Sequence, residues 1–112
     1  MIKKAVDLEP ANGAYLDSLG WVYFKLGKYE LAEDNLTKAS QHMGADPTVQ
    51  EHLGDLYQKT GRLKLAAAHW ERAIEEWNKS VAPEVDTEEL AKVQKQLESA
   101  KIKLAKEEST NK

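Results

Sequence analysis

The chain contains no cysteine, only three prolines and a single phenylalanine in 112 residues. Without cysteine, disulfides and thiolate metal sites are excluded, and the redox compartment is left open. No apolar run approaches the ~20 residues needed to cross a bilayer as a helix. Basic charge is not in excess either: 16 Lys and Arg face 19 Asp and Glu, for a formal charge of −3. A field able to hold a phosphate backbone is therefore missing, which argues against general nucleic-acid binding. The first residues, MIKKAVDLEP, lack the apolar core and cleavage site of a signal peptide. What is present fits a folded chain. Apolar residues make up 41% and charged residues 31%, with three Trp and four Tyr available for one core.

The dominant signal is internal repetition. Shifting the chain by 34 residues lays 11–44 on 45–78 and makes nine positions identical, among them Leu19/Leu53, Gly20/Gly54, Tyr23/Tyr57, Gly27/Gly61, Ala32/Ala66 and Ala39/Ala73. Ordinary residue frequencies would give about two. The register also extends backwards, where Ile2, Lys4 and Ala5 fall on Leu36, Lys38 and Ala39.

Helical periodicity accounts for most of the shared positions. Leu16, Leu19, Tyr23 and Leu26 recur at steps of three and four, predicting an amphipathic helix over 13–26. Tyr29, Ala32, Leu36 and Ala39 predict a second over 28–42. The repeat of this pair falls at 47–60 and 62–79, the latter marked by Leu63, Ala66, Trp70, Ala73 and Trp77. Gly27 and Gly61 stand where a helix end turns left-handed, and turns this short make each pair antiparallel. Gly20 and Gly54, by contrast, sit inside helices, where glycine costs about 1 kcal/mol relative to alanine. Close approach of the partner helix at Ala32 and Ala66 is the expected reason.

The 34-residue period, with Leu16-x2-Leu19-Gly20-x2-Tyr23 followed by Ala32-x3-Leu36-x2-Ala39 and its copy ending Ala66-x3-Trp70-x2-Ala73, resembles the tetratricopeptide repeat family. The stretch DSLGWVYFKLGKYELAEDNL looks like bacterial members of it. One departure stands out: Gln50 occupies a position the family fills with a large apolar residue, and Val49 is expected to supply the packing. The resemblance implies an all-α fold, a right-handed α-solenoid of helix-turn-helix repeats. Its expected units are residues 1–12 as the second helix of a truncated repeat, repeats at 13–46 and 47–80, and 81–112 as linker, C-terminal capping helix and short disordered tail. A repeat unit does not bury its apolar face alone, so the chain reads as the C-terminal part of a longer repeat protein. Where such a parent would reside is left open, cytoplasm or periplasm.

Towards the C-terminus, Pro83 marks a linker and Asp86 with Glu89 forms a capping box for a helix to about residue 106. Leu90, Val93, Leu97, Ala100 and Leu104 make its apolar stripe. Two uses of the stripe compete: a cap over the last repeat, or a coiled-coil seam joining two chains. Only two heptads are present and Ile102 lies off the stripe, which favours the cap. Association is expected to stop at a monomer, or a weak dimer through the N-terminal or C-terminal helix.

No catalytic signature occurs. HExxH, a Walker loop, GxGxxG and a nucleophile elbow are all missing, and no cofactor or metal is called for. His42, His52 and His69 fall at three different repeat positions and read as surface or helix-end residues. The family resemblance implies that the first helix of each repeat lines a concave groove. Its positions here are Ala14, Asp17, Trp21, Phe24 and Lys25, then Thr48, Glu51, Asp55, Gln58 and Lys59. Asp17, Glu51 and Asp55 could be taken for catalytic carboxylates, but with no partner in the sequence they read as a solvated acidic face. A protein or peptide ligand gives them a better use, an apolar or aromatic side chain docking on Trp21 and Phe24 while Lys or Arg meets the acids. Family members that grip the C-terminal carboxylate of heat-shock chaperones carry Asn after the repeat glycine. Trp21 and Asp55 stand there instead, and acid repels a carboxylate. The competing reading is structural: terminal repeats that bind nothing, with Trp21 covered in the parent.

Overall fold

The computed structural model describes residues 12–79 and 87–110. Within them the chain forms five helices and no strand: α1 (Gly13–Lys25), α2 (Tyr29–His42), α3 (Pro47–Lys59), α4 (Leu63–Lys79) and α5 (Thr87–Thr110). Each of the first four lies within two residues of its expected bounds. The N-terminal helix expected before residue 12, the linker and Asp86 fall outside the described residues.

Both hairpins are built by the same local devices. Asn12 and Asp46 cap their helices, each accepting a backbone N–H through the side chain at 3.2 and 2.8 Å. At the far ends Gly27 and Gly61 take φ of 78° and 79°, the left-handed values a side chain resists. The following N–H groups of Lys28 and Arg62 reach back five residues to the carbonyls of Tyr23 and Tyr57, closing a Schellman motif in each copy.

The helix-interior glycines are close-approach positions, though not against the alanines expected. A Cβ on Gly20 would meet Leu36 Cγ at 2.7 Å, and one on Gly54 would run into the Trp70 indole. Ala32 and Ala66 are buried one turn earlier in the same partner helices. The large side chain four residues on occupies the space that glycine leaves open. Glycine thus lets Trp70 lie fully buried between α3 and α4, and its indole N–H donates to Asp55 at 3.1 Å.

The hairpins are joined by polar and apolar contacts. Leu36, Ala39, Val49, Leu53 and Leu56 form one core with Trp70. Across the joint, Glu33 of α2 accepts from the Tyr57 hydroxyl and both Arg62 nitrogens, each at 3.0 Å. The Arg62 bond holds the Glu33 carboxyl below its ordinary range. Val49 is buried as expected, and so is Gln50, which the family pattern alone would make a defect. Its amide nitrogen donates to Ser40 Oγ at 3.0 Å and the Gly44 carbonyl at 3.1 Å. Its oxygen accepts from His69 Nδ1 at 2.7 Å, which puts the imidazole proton on that nitrogen. A buried amide is stable here because every polar atom has a partner. His69, expected at the surface, is instead half-buried inside the second hairpin, also stacked on Tyr57. Burial, helped by Arg72, pushes its pKa down.

α5 lies along α4, and Val93, Leu97 and Ala100 of its stripe are buried against Trp77 and the rest of the core. The apolar stripe that could have zipped two chains together is used within one. The helix runs to Thr110, so residues 107–110 are helical where a disordered tail was expected. Lys-Leu-Ala-Lys-Glu-Glu is a run of strong helix formers that simply carries the helix on. Among the described residues no helix is long and apolar enough to cross a membrane.

Candidate functional site

Helices α1, α3 and the ends of α4 and α5 enclose an open cleft of about 630 Å³. Helical spacing on α3 turns Thr48, Glu51, His52 and Asp55 toward it, one turn apart. Trp21 of α1 and Trp77 of α4 supply aromatic walls, and Glu89 and Lys92 enter from the first turns of α5.

Of the residues expected in a groove, the structure brings Trp21, Thr48, Glu51 and Asp55 together around this cleft. Trp21 is half-buried and stacks on His52 at 4.0 Å and on Phe24 at 4.7 Å between ring centroids, with planes within 17° and 10° of parallel. Lys25 lies beside them, its ammonium 5.0 Å from the Trp21 ring. Asp17 is engaged by His52, Nδ1 to Oδ1 at 2.8 Å. Gln58 and Lys59 are exposed and stand away from the cleft lining.

The acidic face is not solvated, contrary to the sequence-based expectation. Glu51 is only 6% exposed, and Asp55 is held by Trp70 and, at 3.4 Å, by the Gln96 amide. The cause is α5, which reaches the carboxyls of α3 with Lys92 and Gln96 while most of its other polar side chains face water. Lys92 Nζ lies 3.4 Å from Glu51 and 3.5 Å from Glu89. Burial, then the hydrogen bond and charge of Glu89, push the Glu51 carboxyl up to about 8. The nearby ammonium pulls the other way and loses, because removing a carboxylate from water beside a second carboxylate outweighs one partly exposed Lys. At neutral pH, Glu51 therefore keeps a proton and donates it to Glu89. Burial also raises the Asp55 pKa, against the bond from Trp70. For Lys92, burial opposes its charge, but the three surrounding carboxylates raise its pKa on balance.

His52, Glu89 and Lys92 lie off the expected groove stripe, His52 beside it and the other two on α5. Trp77, expected on the buried stripe of its helix, is in the core and also borders the cleft. For Glu89 and Lys92 the only available signal was a polar α5 face with two acids and a lysine in its first two turns. Among the described residues no group of three His, Cys, Asp or Glu side chains is placed to hold a metal ion.

A comparison with curated proteins found no match to the chain. A family model does match. Residues 14–41, which span most of α1 and α2, fit the model of the tetratricopeptide repeat, so the chain, whose described residues form helices and no strand, carries a repeat of that family at its first described hairpin.

Proposed function

We propose that the cleft between α1, α3 and α5 binds a peptide or a partner domain, with an apolar or aromatic side chain of the ligand on the Trp21 face and a basic side chain against the carboxyl cluster. Tetratricopeptide repeats are in general protein-interaction modules and typically non-catalytic scaffolds, which supports the broad class. The observation that carries the finer reading is Trp21. Its stacking on His52 and Phe24 fixes the ring without hiding it, giving a rigid aromatic anchor at low entropic cost. Structure-guided revision concerns the acids. Asp17 is engaged by His52 and Glu51 carries a proton, so Asp55 and Glu89 supply the negative charge that would meet a cation.

A second reading has an observation of its own. Lys92 and Gln96 already satisfy Glu51 and Asp55 from within the chain, as expected of carboxyls that only anchor a terminal cap. The two separate in one experiment: selection of displayed peptides on the wild-type protein, with affinities then measured by Trp fluorescence. Under the binding reading Trp21→Ala weakens selected peptides at least about tenfold, the loss of one anchor side chain, whereas Lys92→Ala tightens basic ones. Under the structural reading no specific peptide is selected, or both variants bind as the wild type does, and the proposal fails.

A further inference from the structure

Asp17 and Trp21 lie one turn apart on α1 and together clasp a ring of α3, the imidazole of His52. Asp17 Oδ1 meets Nδ1 at 2.8 Å, and the Trp21 indole covers one face at 4.0 Å between centroids. The His52 and Asp17 side chains are largely buried, at 15% and 16% exposure. A carboxylate oxygen only accepts, so the proton between them belongs to Nδ1. Turning the ring over would set a carbon against Asp17 and lose that bond. Its orientation is therefore fixed from the edge and from the face. The other nitrogen, Nε2, hydrogen-bonds to none of the described residues and is not buried. His52 borders the cleft, whereas Asp17 does not. In a neutral ring, a proton held on Nδ1 leaves Nε2 with a bare lone pair.

We propose that His52 Nε2 is the hydrogen-bond acceptor of the cleft, selecting a partner peptide whose aromatic side chain carries a donor, the indole N–H of Trp or the hydroxyl of Tyr. The inference rests on the peptide-binding reading above and gives it a specificity, donor-bearing rings over phenyl or aliphatic groups. Asp17 is the positioning residue, since it decides which nitrogen carries the proton.

Charge narrows the ligand. Asp17 behind the ring, and Asp55 within electrostatic reach of it, oppose an approaching carboxylate or phosphate. A basic side chain gains more from Asp55 and Glu89 than from a neutral imidazole. A neutral donor is what remains. Proximity supplies the aromatic part. The imidazole stacks on Trp21, which stacks on Phe24, so Nε2 sits at the rim of an aromatic surface. A ligand ring against that rim brings its own N–H or O–H to the nitrogen. A ring without a donor strips water from Nε2 and replaces it with nothing, a loss of about tenfold in affinity.

The test is heteronuclear NMR on the full chain labelled at histidine, at about pH 7.5, where an ordinary imidazole is mostly neutral. His52 is expected with Nδ1 protonated and Nε2 bare. In Asp17→Asn, whose amide N–H donates to Nδ1, the proton should move to Nε2. The probes are N-acetyl-tryptophanamide, whose indole only donates, and its benzothienylalanine counterpart, which keeps the shape without the N–H. The first should shift the wild-type Nε2 resonance and bind at least about tenfold more tightly than the second. In Asp17→Asn and in His52→Phe that preference should vanish. A bare Nδ1 in the wild type overturns the proposal, and so does equal or absent binding of the two probes. Selected peptides that keep their affinity when Trp gives way to benzothienylalanine sink this inference alone and leave the binding reading intact. If no peptide is selected while the tryptophan probe still shifts Nε2, the binding reading fails and the acceptor stands.

Discussion

Replacing Glu51 by Gln keeps the shape of a nearly buried side chain and removes its ability to ionise. In the folded chain its carboxyl titrates near 8 against an ordinary 4.5, owing to burial and to Glu89. Below pH 4.5 both folded and unfolded chains hold the proton, and the group's full contribution is present. As pH rises from 4.5 to 8 the unfolded chain releases the proton while the folded chain keeps it, so stability falls by about 1.4 kcal/mol per pH unit. The whole window corresponds to about 5 kcal/mol. Rearrangement of the exposed Lys92 and half-buried Glu89 brings the expected loss to about 2–3 kcal/mol, a large share of a small domain's stability. Gln reproduces the neutral geometry, its N–H donating to Glu89 and its oxygen accepting from Lys92. Urea denaturation at pH 5, 7 and 9 should therefore find Glu51→Gln close to wild type at pH 5 and about 2–3 kcal/mol more stable at pH 9. The difference between the two proteins isolates this one group, because all other ionisable residues are common to both. Parallel pH profiles would show that the Glu51–Glu89 pair carries no shared proton and would refute the reasoning.

Two further perturbations test the interior. Gly54→Ala puts a methyl into the Trp70 ring, which is fully buried and tied to Asp55. Overpacking should outweigh the helix-propensity gain of about 1 kcal/mol, giving a net loss of about 2 kcal/mol in urea melts; a more stable variant would mean the ring yields freely. His69, with its pKa lowered by burial, contributes stability that is present above pH 6.5 and lost as pH falls below it. Glu51 adds stability as pH falls over the same range, so the readout is a difference. Between pH 6.5 and 5 the melting temperature of the wild type should fall relative to that of His69→Asn, and parallel profiles would refute the reading.

Which parts of this chain could be read before its structure follows from the range of the interactions involved. Helix bounds and the left-handed glycines at 27 and 61 depend on neighbours within about five residues. The 34-residue period states them twice, and the apolar stripe of α5 likewise declares a buried face. Those features were legible in the sequence. Gln50 was legible only as an anomaly, since what makes it tolerable, Ser40, Gly44 and His69, comes from three separate elements. The same holds for the cleft. Asp17 and His52 are 35 residues apart, and Glu51 and Lys92 are 41 apart; neither spacing has a local signature.

Sequence by itself thus determined the helices, their pairing into hairpins and the family pattern, because periodicity and backbone dihedrals are local and cooperative. Tertiary structure alone decided how the polar side chains are used. The acidic face became a buried, proton-sharing cluster because α5, packed along α4, sends Lys92 and Gln96 to the carboxyls of α3. Two histidines became structural partners, His52 of Asp17 across the hairpins and His69 of Gln50 within the second. Charge state and solvent access depend on everything within a few ångströms in space, and that neighbourhood exists only once the helices have packed.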